Sequence, residues 1–217
     1  MPSFIRSIRG TILFYFLFSS SSKAYEIHSS RQPEKTLVKE ATDEAFTMAD
    51  LALQELTSSP RDPQVNRLLG LLFAGKDQDP ATMDVTRLVS TLEGLCRAAM
   101  ENEARPDPIN QNAQYNVGFD SMRMLEQTIL HELTHTLAGG AILDVQVTGA
   151  RKERDGYGWK SCLALAKNGG TDPDNGSPVT AFDNADSVPN FGLAVRLLRD
   201  QPPLYVLEDG GVTDQMP

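Results

Sequence analysis

Residues 131–135 read His-Glu-Leu-Thr-His, and no other stretch constrains the fold as much. Two imidazoles four residues apart meet on one face only if the segment is helical. The surroundings suit a helix: Asp120 or Ser121 can cap it, the apolar pattern runs to about Ala138, and Gly139-Gly140 ends it. For the pair to share a ligand, a third group must come from another segment, so the chain has to fold back over this helix.

The residue types point to zinc. Neutral imidazole binds zinc at about 2.0–2.1 Å, and a catalytic zinc site keeps one position open for water. Glu132, beside the first histidine, is placed to take the proton of that water. On the order of one chain in a hundred of this length would carry such a pattern by accident. Here the chain has three histidines, two of them in the motif, which argues against accident. No histidine follows His135, and His28 lies near the N-terminus, so the third ligand is expected to be a carboxylate. Glu153 and Glu208 do not sit on predicted helices. Asp144 and Asp155, in the irregular segment after the motif, are the two candidates.

Five further segments read as helix. From Pro33 to Leu56 the apolar positions Leu37, Ala41, Ala45, Met48, Ala52 and Leu56 keep three- and four-residue steps. Gln64 to Phe73 is a short apolar helix. Pro80 is expected to open the next, with Val85, Leu88, Leu92, Leu95 and Ala99 as its buried stripe. Residues 105–120 read as loop, and Ala141–Val147 as a short extended piece. Tyr157–Asn168 reads as helix, as does a last segment near Asn184–Arg199, with Pro189 as its start or a kink. The tail from Gln201 is expected to be loosely held. The fold class is therefore mainly α with a small or vestigial β edge and the His-Glu-Leu-Thr-His helix in its core.

The first 24 residues read as a signal peptide: Arg6 and Arg9, then the apolar run Thr11–Phe18, then serines ending in Ser22-Lys23-Ala24. Eight apolar residues are too few to span about 30 Å of hydrocarbon, so a secreted, extracellular protein is expected, with residues 25–200 as one domain and 201–217 as its tail. In an oxidising compartment Cys96 and Cys162 would pair, closing a loop of 66 residues (162 − 96). The sequon Asn175-Gly176-Ser177 is weakened by Pro178. A formal net charge of −9 argues against nucleic acid and anionic membrane as partners. A protein or peptide substrate and a monomer are expected.

Three pieces, in order, resemble the aspzincins, the deuterolysin-like and peptidyl-Lys fungal zinc metalloendopeptidases. They are His131–His135, then Gly156-Tyr157-Gly158-Trp159 with the helix after it, then Asn184-Ala185-Asp186. The resemblance covers residues 121–199 and implies a zincin-like fold in which zinc is held by the two histidines and an aspartate before the Tyr-Gly pair. Asp144 matches the spacing of the peptidyl-Lys members and is preferred, while Asp155 matches the local pattern just before Tyr-Gly. The resemblance also implies that Tyr157 donates a hydrogen bond to the oxyanion, and that Asp186 orients a ligand histidine. The expected activity is peptide-bond hydrolysis by a zinc-activated water with Glu132 as base. The alternative is a secreted, catalytically degenerate protein of the same fold that binds a partner.

Overall fold

The computed structural model describes residues 32–101, 125–148 and 156–217. The signal-peptide segment, His28, the loop at 105–120, the cap candidates Asp120 and Ser121, Glu153 and Asp155 lie outside the described residues. Six helices dominate: α1 (Gln32–Thr57), α2 (Pro63–Leu72), α3 (Thr86–Glu101), α4 (Leu125–Thr134), α5 (Trp159–Asn168) and α6 (Ser187–Leu198). Strands β1 (Gln146–Val147), β2 (Gly170–Thr171) and β3 (Pro178–Val179) form an antiparallel sheet in the order β1-β2-β3. Strands β4 (Tyr205–Val206) and β5 (Val212–Thr213) pair as a hairpin. The mainly helical fold with a small β component is as the sequence predicts.

Helix α1 is the hub, packing on α3, α4 and α6. Its buried face is rich in alanine (Ala41, Ala45, Ala49, Ala52), which lets three helices approach it closely. The stripe differs from expectation at its start: Leu37 is 54% exposed and Val38 is buried in its place. Counting back from Ala41, the three-residue step faces the core and the four-residue step does not. Along the α1–α6 contact, Arg196 Nε donates to Glu44 Oε1 at 3.0 Å, so a buried carboxylate is paired rather than stranded.

Several boundaries follow local chemistry that periodicity does not read. Helix α2 starts as a capped helix should: Asp62 accepts from the Gln64 amide at 2.7 Å, and Pro63 takes the first position. Helix α3 begins at Thr86, not Pro80, because the Asp84 carboxylate accepts from the Thr86 amide at 2.9 Å and starts the helix there. Pro189 falls in the first turn of α6, where no intrahelical N–H is needed, so it starts the helix without a kink. The tail is also held more firmly than expected. Leu204 and Val206 are buried, Trp159 Nε1 donates to the Glu208 carbonyl at 3.1 Å, and an Arg67 guanidinium N–H donates to the Val206 carbonyl at 2.7 Å.

The core lies among α1, α3, α4 and α6 and extends under α2 and α5, with Trp159, Phe46, Phe191 and Met48 its largest fully buried side chains. Among the described residues no helix is long and apolar enough to cross a membrane.

Candidate metal centre

Helix α4 ends at Thr134, four residues short of the expected Ala138, and His135 opens the turn that follows. Two threonine hydroxyls bond back onto the helix at this stop, and Gly139 packs against its end, where a Cβ would come 2.2 Å from the Leu133 carbonyl oxygen. Thr134 Oγ1 donates to the His131 carbonyl at 2.6 Å and Thr136 Oγ1 to the Leu133 carbonyl at 2.7 Å, occupying acceptors that a further turn would use. The last backbone bonds tighten accordingly, from the His135 amide to the Glu132 carbonyl and from Thr136 to Leu133. The chain then reverses: the Ile142 amide donates back to the Thr134 carbonyl at 3.0 Å. Helix α3 lies directly on this turn at Gly94, where a Cβ would come 1.9 Å from the Ala138 carbonyl oxygen.

This reversal delivers Asp144 to the two histidines. Leu143 forms a parallel bridge with Asn184, its amide donating to the Asp183 carbonyl at 3.0 Å and its carbonyl accepting from Ala185 at 2.7 Å. The Val145 amide donates to Asn184 Oδ1 at 3.3 Å, so Asp144 is clamped on both sides. The three ligand atoms converge. His131 Nε2 lies 3.3 Å from Asp144 Oδ1 and 3.3 Å from His135 Nε2, and His135 Nε2 lies 3.5 Å from Asp144 Oδ1. An ion held tetrahedrally at about 2.0–2.1 Å keeps its ligand atoms about 3.3–3.4 Å apart, so the triangle has the size zinc requires. Asp144 Oδ1 is buried and has no hydrogen-bond partner, the condition of an acceptor waiting for a cation. Among the described residues this is the group of histidine, cysteine and acidic side chains that converges closely enough to hold a metal.

The far sides of both rings are tied. Ile142 O lies 2.6 Å from His135 Nδ1 and can only accept, so Nδ1 carries a proton and Nε2 is the nitrogen that faces the centre. His131 Nδ1 lies 3.2 Å from Asp186 Oδ1, an ion-pair contact short of a well-aligned hydrogen bond. Burial opposes a charge on His131, but Asp144 and Asp186 on either side overcome it and raise its pKa to about 9. The His135 pKa is raised too, first through its hydrogen bond with Asp144. Burial pushes the Asp144 carboxyl upward, yet the His131 and His135 imidazoles and the Tyr157 hydroxyl beside it hold it well below the usual carboxylate range. In the absence of metal the cluster thus takes up protons where a divalent cation would sit.

Tyr157 is 42% exposed, with its ring 5.4 Å from that of His131. Glu132 is half-buried on α4, next to His131. The structure therefore brings His131, His135, Asp144, Tyr157 and Asp186 together. Glu208, the other acid of the sequence reading among the described residues, has a different partner and pairs with Lys167 at 2.6 Å.

The two cysteines are not bonded to each other. Cys96 is half-buried on α3, its pKa pushed up to about 11 by burial and by Asp50 and Glu93. Cys162 is buried on α5, where its thiol donates to the Gly156 carbonyl at 3.3 Å and accepts from Asn190 Nδ2 at 3.1 Å. Gly156 is required at its position, since a Cβ would come 2.7 Å from Asn184 Oδ1.

The residues that sequence reasoning missed are polar and lie behind the histidines. Gln127 precedes His131 by one helical turn (131 − 127 = 4), and Asn190 follows Asp186 by one turn (190 − 186 = 4). Those spacings were the available signal. Comparison with protein-family models, with curated proteins and with solved structures finds no match.

Proposed function

We propose that this protein is a secreted zinc-dependent endopeptidase of the aspzincin type. The observation that carries the reading is the convergence of His131 Nε2, His135 Nε2 and Asp144 Oδ1 on a triangle of 3.3–3.5 Å, with a glutamate directly after the first histidine. The order of the three motifs and the signal-peptide pattern of residues 1–24 support it.

Zinc, when bound, lowers the pKa of water to about 7 and polarises a carbonyl. His131, His135 and Asp144 would hold it. The Glu132 carboxylate accepts a proton from the attacking water and returns it to the leaving amine, so no charged amide nitrogen has to depart. Tyr157, exposed and beside Asp144, would turn its hydroxyl to the oxyanion of the attacked carbonyl. Asp186 keeps the far nitrogen of His131 facing a carboxylate, which holds the ring and makes its other nitrogen a better donor.

The test is casein cleavage by the mature protein beside Glu132→Ala, with zinc quantified in both. The proposal expects one zinc per chain in each and cleavage in the wild type alone. Stoichiometric zinc with no cleavage by either, over a broad panel of proteins, would instead favour a partner-binding role for the same site.

A further inference from the structure

We propose that Gln127 and Asn190 form a buried amide relay that positions Asp186, and through it His131, for metal binding. The inference rests on the metal reading above and adds two positioning residues to it.

Both side chains are fully buried, and Asp186 is 1% exposed. Asn190 Oδ1 accepts from Gln127 Nε2 at 2.7 Å, which fixes which end of the Asn190 amide faces which neighbour. Its nitrogen is then left to donate to Asp186 Oδ2 at 3.3 Å and to Cys162 Sγ at 3.1 Å. A flipped amide would set nitrogen against nitrogen at Gln127 and oxygen against carboxylate at Asp186. With the Gly158 amide donating to the same Oδ2 at 2.5 Å, that oxygen is occupied and Oδ1 is turned toward His131 Nδ1. The relay starts on α4, one turn before the histidine it serves, and crosses to α6 and back.

A second arm reaches the other side of the site. The Cys162 thiol donates to the Gly156 carbonyl, which also accepts from Asn184 Nδ2 at 3.0 Å. Asn184 Oδ1 takes the Val145 amide, next to Asp144. One network of assigned donors thus backs both His131 and Asp144.

Gln127 does not look like a stabilising choice. Its Oε1 is buried with no partner, a desolvation cost that a leucine of similar volume would avoid. Paired on one side and stranded on the other, it fits a group retained for where it holds Asn190.

The experiment measures zinc affinity by chelator competition, the visible spectrum of the cobalt-substituted protein, and thermal unfolding in chelator, for the full mature chain and for Q127L, Q127M and N190S. The relay predicts that zinc binds about tenfold more weakly to Q127L and N190S and that their cobalt bands shift. It also predicts that chelated Q127L unfolds no earlier than wild type. Wild-type affinity and an unchanged cobalt spectrum in the Gln127 variants overturn it. So does an affinity loss matched by collapse of the chelated fold, which makes Gln127 merely structural. If N190S does not fold, Q127L and Q127M decide alone. A wild type that takes up neither metal overturns the metal reading itself, whereas a wild type that binds while the variants match it overturns only the relay.

Discussion

The two histidines of the centre are held by opposite means. His131 sits inside helix α4, its side chain 7% exposed, and its far nitrogen faces a carboxylate backed by other side chains. His135 lies just past the helix end, its side chain 19% exposed, and its far nitrogen donates to a backbone carbonyl. A backbone carbonyl survives any substitution at its own residue, so His135 is anchored by the path of the chain. His131 is anchored by side chains, which substitution can remove. One half of the site is robust to mutation as long as the turn forms, and the other half is tunable.

The largest effect is expected where the halves meet. Asp144→Asn keeps the shape but removes the one anionic ligand, and zinc affinity should fall by more than about 100-fold, beyond what changes behind the ligands produce. Chelator competition measures it. Next comes the tunable half: Asp186→Asn should weaken zinc by about 10–100-fold through His131 alone. The matching change on the other half is Ile142→Val, which leaves the carbonyl in place. It should cost about 0.5–1.5 kcal/mol of stability as a buried methylene is lost, and should change zinc affinity by less than about threefold. Equal losses of affinity in the two variants would break the comparison.

The asymmetry also has a pH signature in the metal-free protein. The His131 pKa is raised to about 9 from an unfolded value near 6.5, so its protonated form is favoured by folding. That stabilisation is fully present below about pH 6.5 and is lost as pH rises through about 9. Asp144, held low, works in the opposite sense: its contribution is present above about pH 4 and is lost only in stronger acid. Thermal unfolding in chelator should therefore be most resistant between about pH 4 and 6.5. The alkaline decline should be smaller and end at lower pH in Asp186→Asn, because one of the two carboxylates raising the His131 pKa is gone. The smallest effect concerns the cysteines. Denatured under non-reducing conditions, each chain should take up two equivalents of an alkylating reagent, as mass spectrometry would show, because Cys96 and Cys162 are not bonded.

How legible this was in the sequence follows the same division. Helices announced themselves where one face is apolar, but α1 was read one position out of phase at Leu37, because a chain of mixed three- and four-residue steps does not say where it starts. The end of α4 comes four residues before Ala138 because the chain turns from His135 onward, with Gly139 and Gly140 inside that turn and not at the helix end itself. Within the centre, His131, Glu132 and His135 were readable from one local spacing, whereas Asp144 and Asp155 could not be separated by the residues alone. What brings Asp144 in is the bridge between Leu143 and Asn184, a pairing across 41 positions (184 − 143) that leaves no local trace. Gln127 and Asn190 were passed over because a lone amide on an apolar face looks like any tolerated polar residue until its partner is seen.

The central claim is that two imidazoles and one carboxylate form a single zinc site. X-ray absorption at the zinc edge, on wild-type protein loaded with one equivalent, tests it most directly. The account predicts two imidazole nitrogens and additional oxygen ligands at about 2.0–2.1 Å. Sulfur in the shell, a shell of oxygen alone, or failure to retain zinc at all would contradict it.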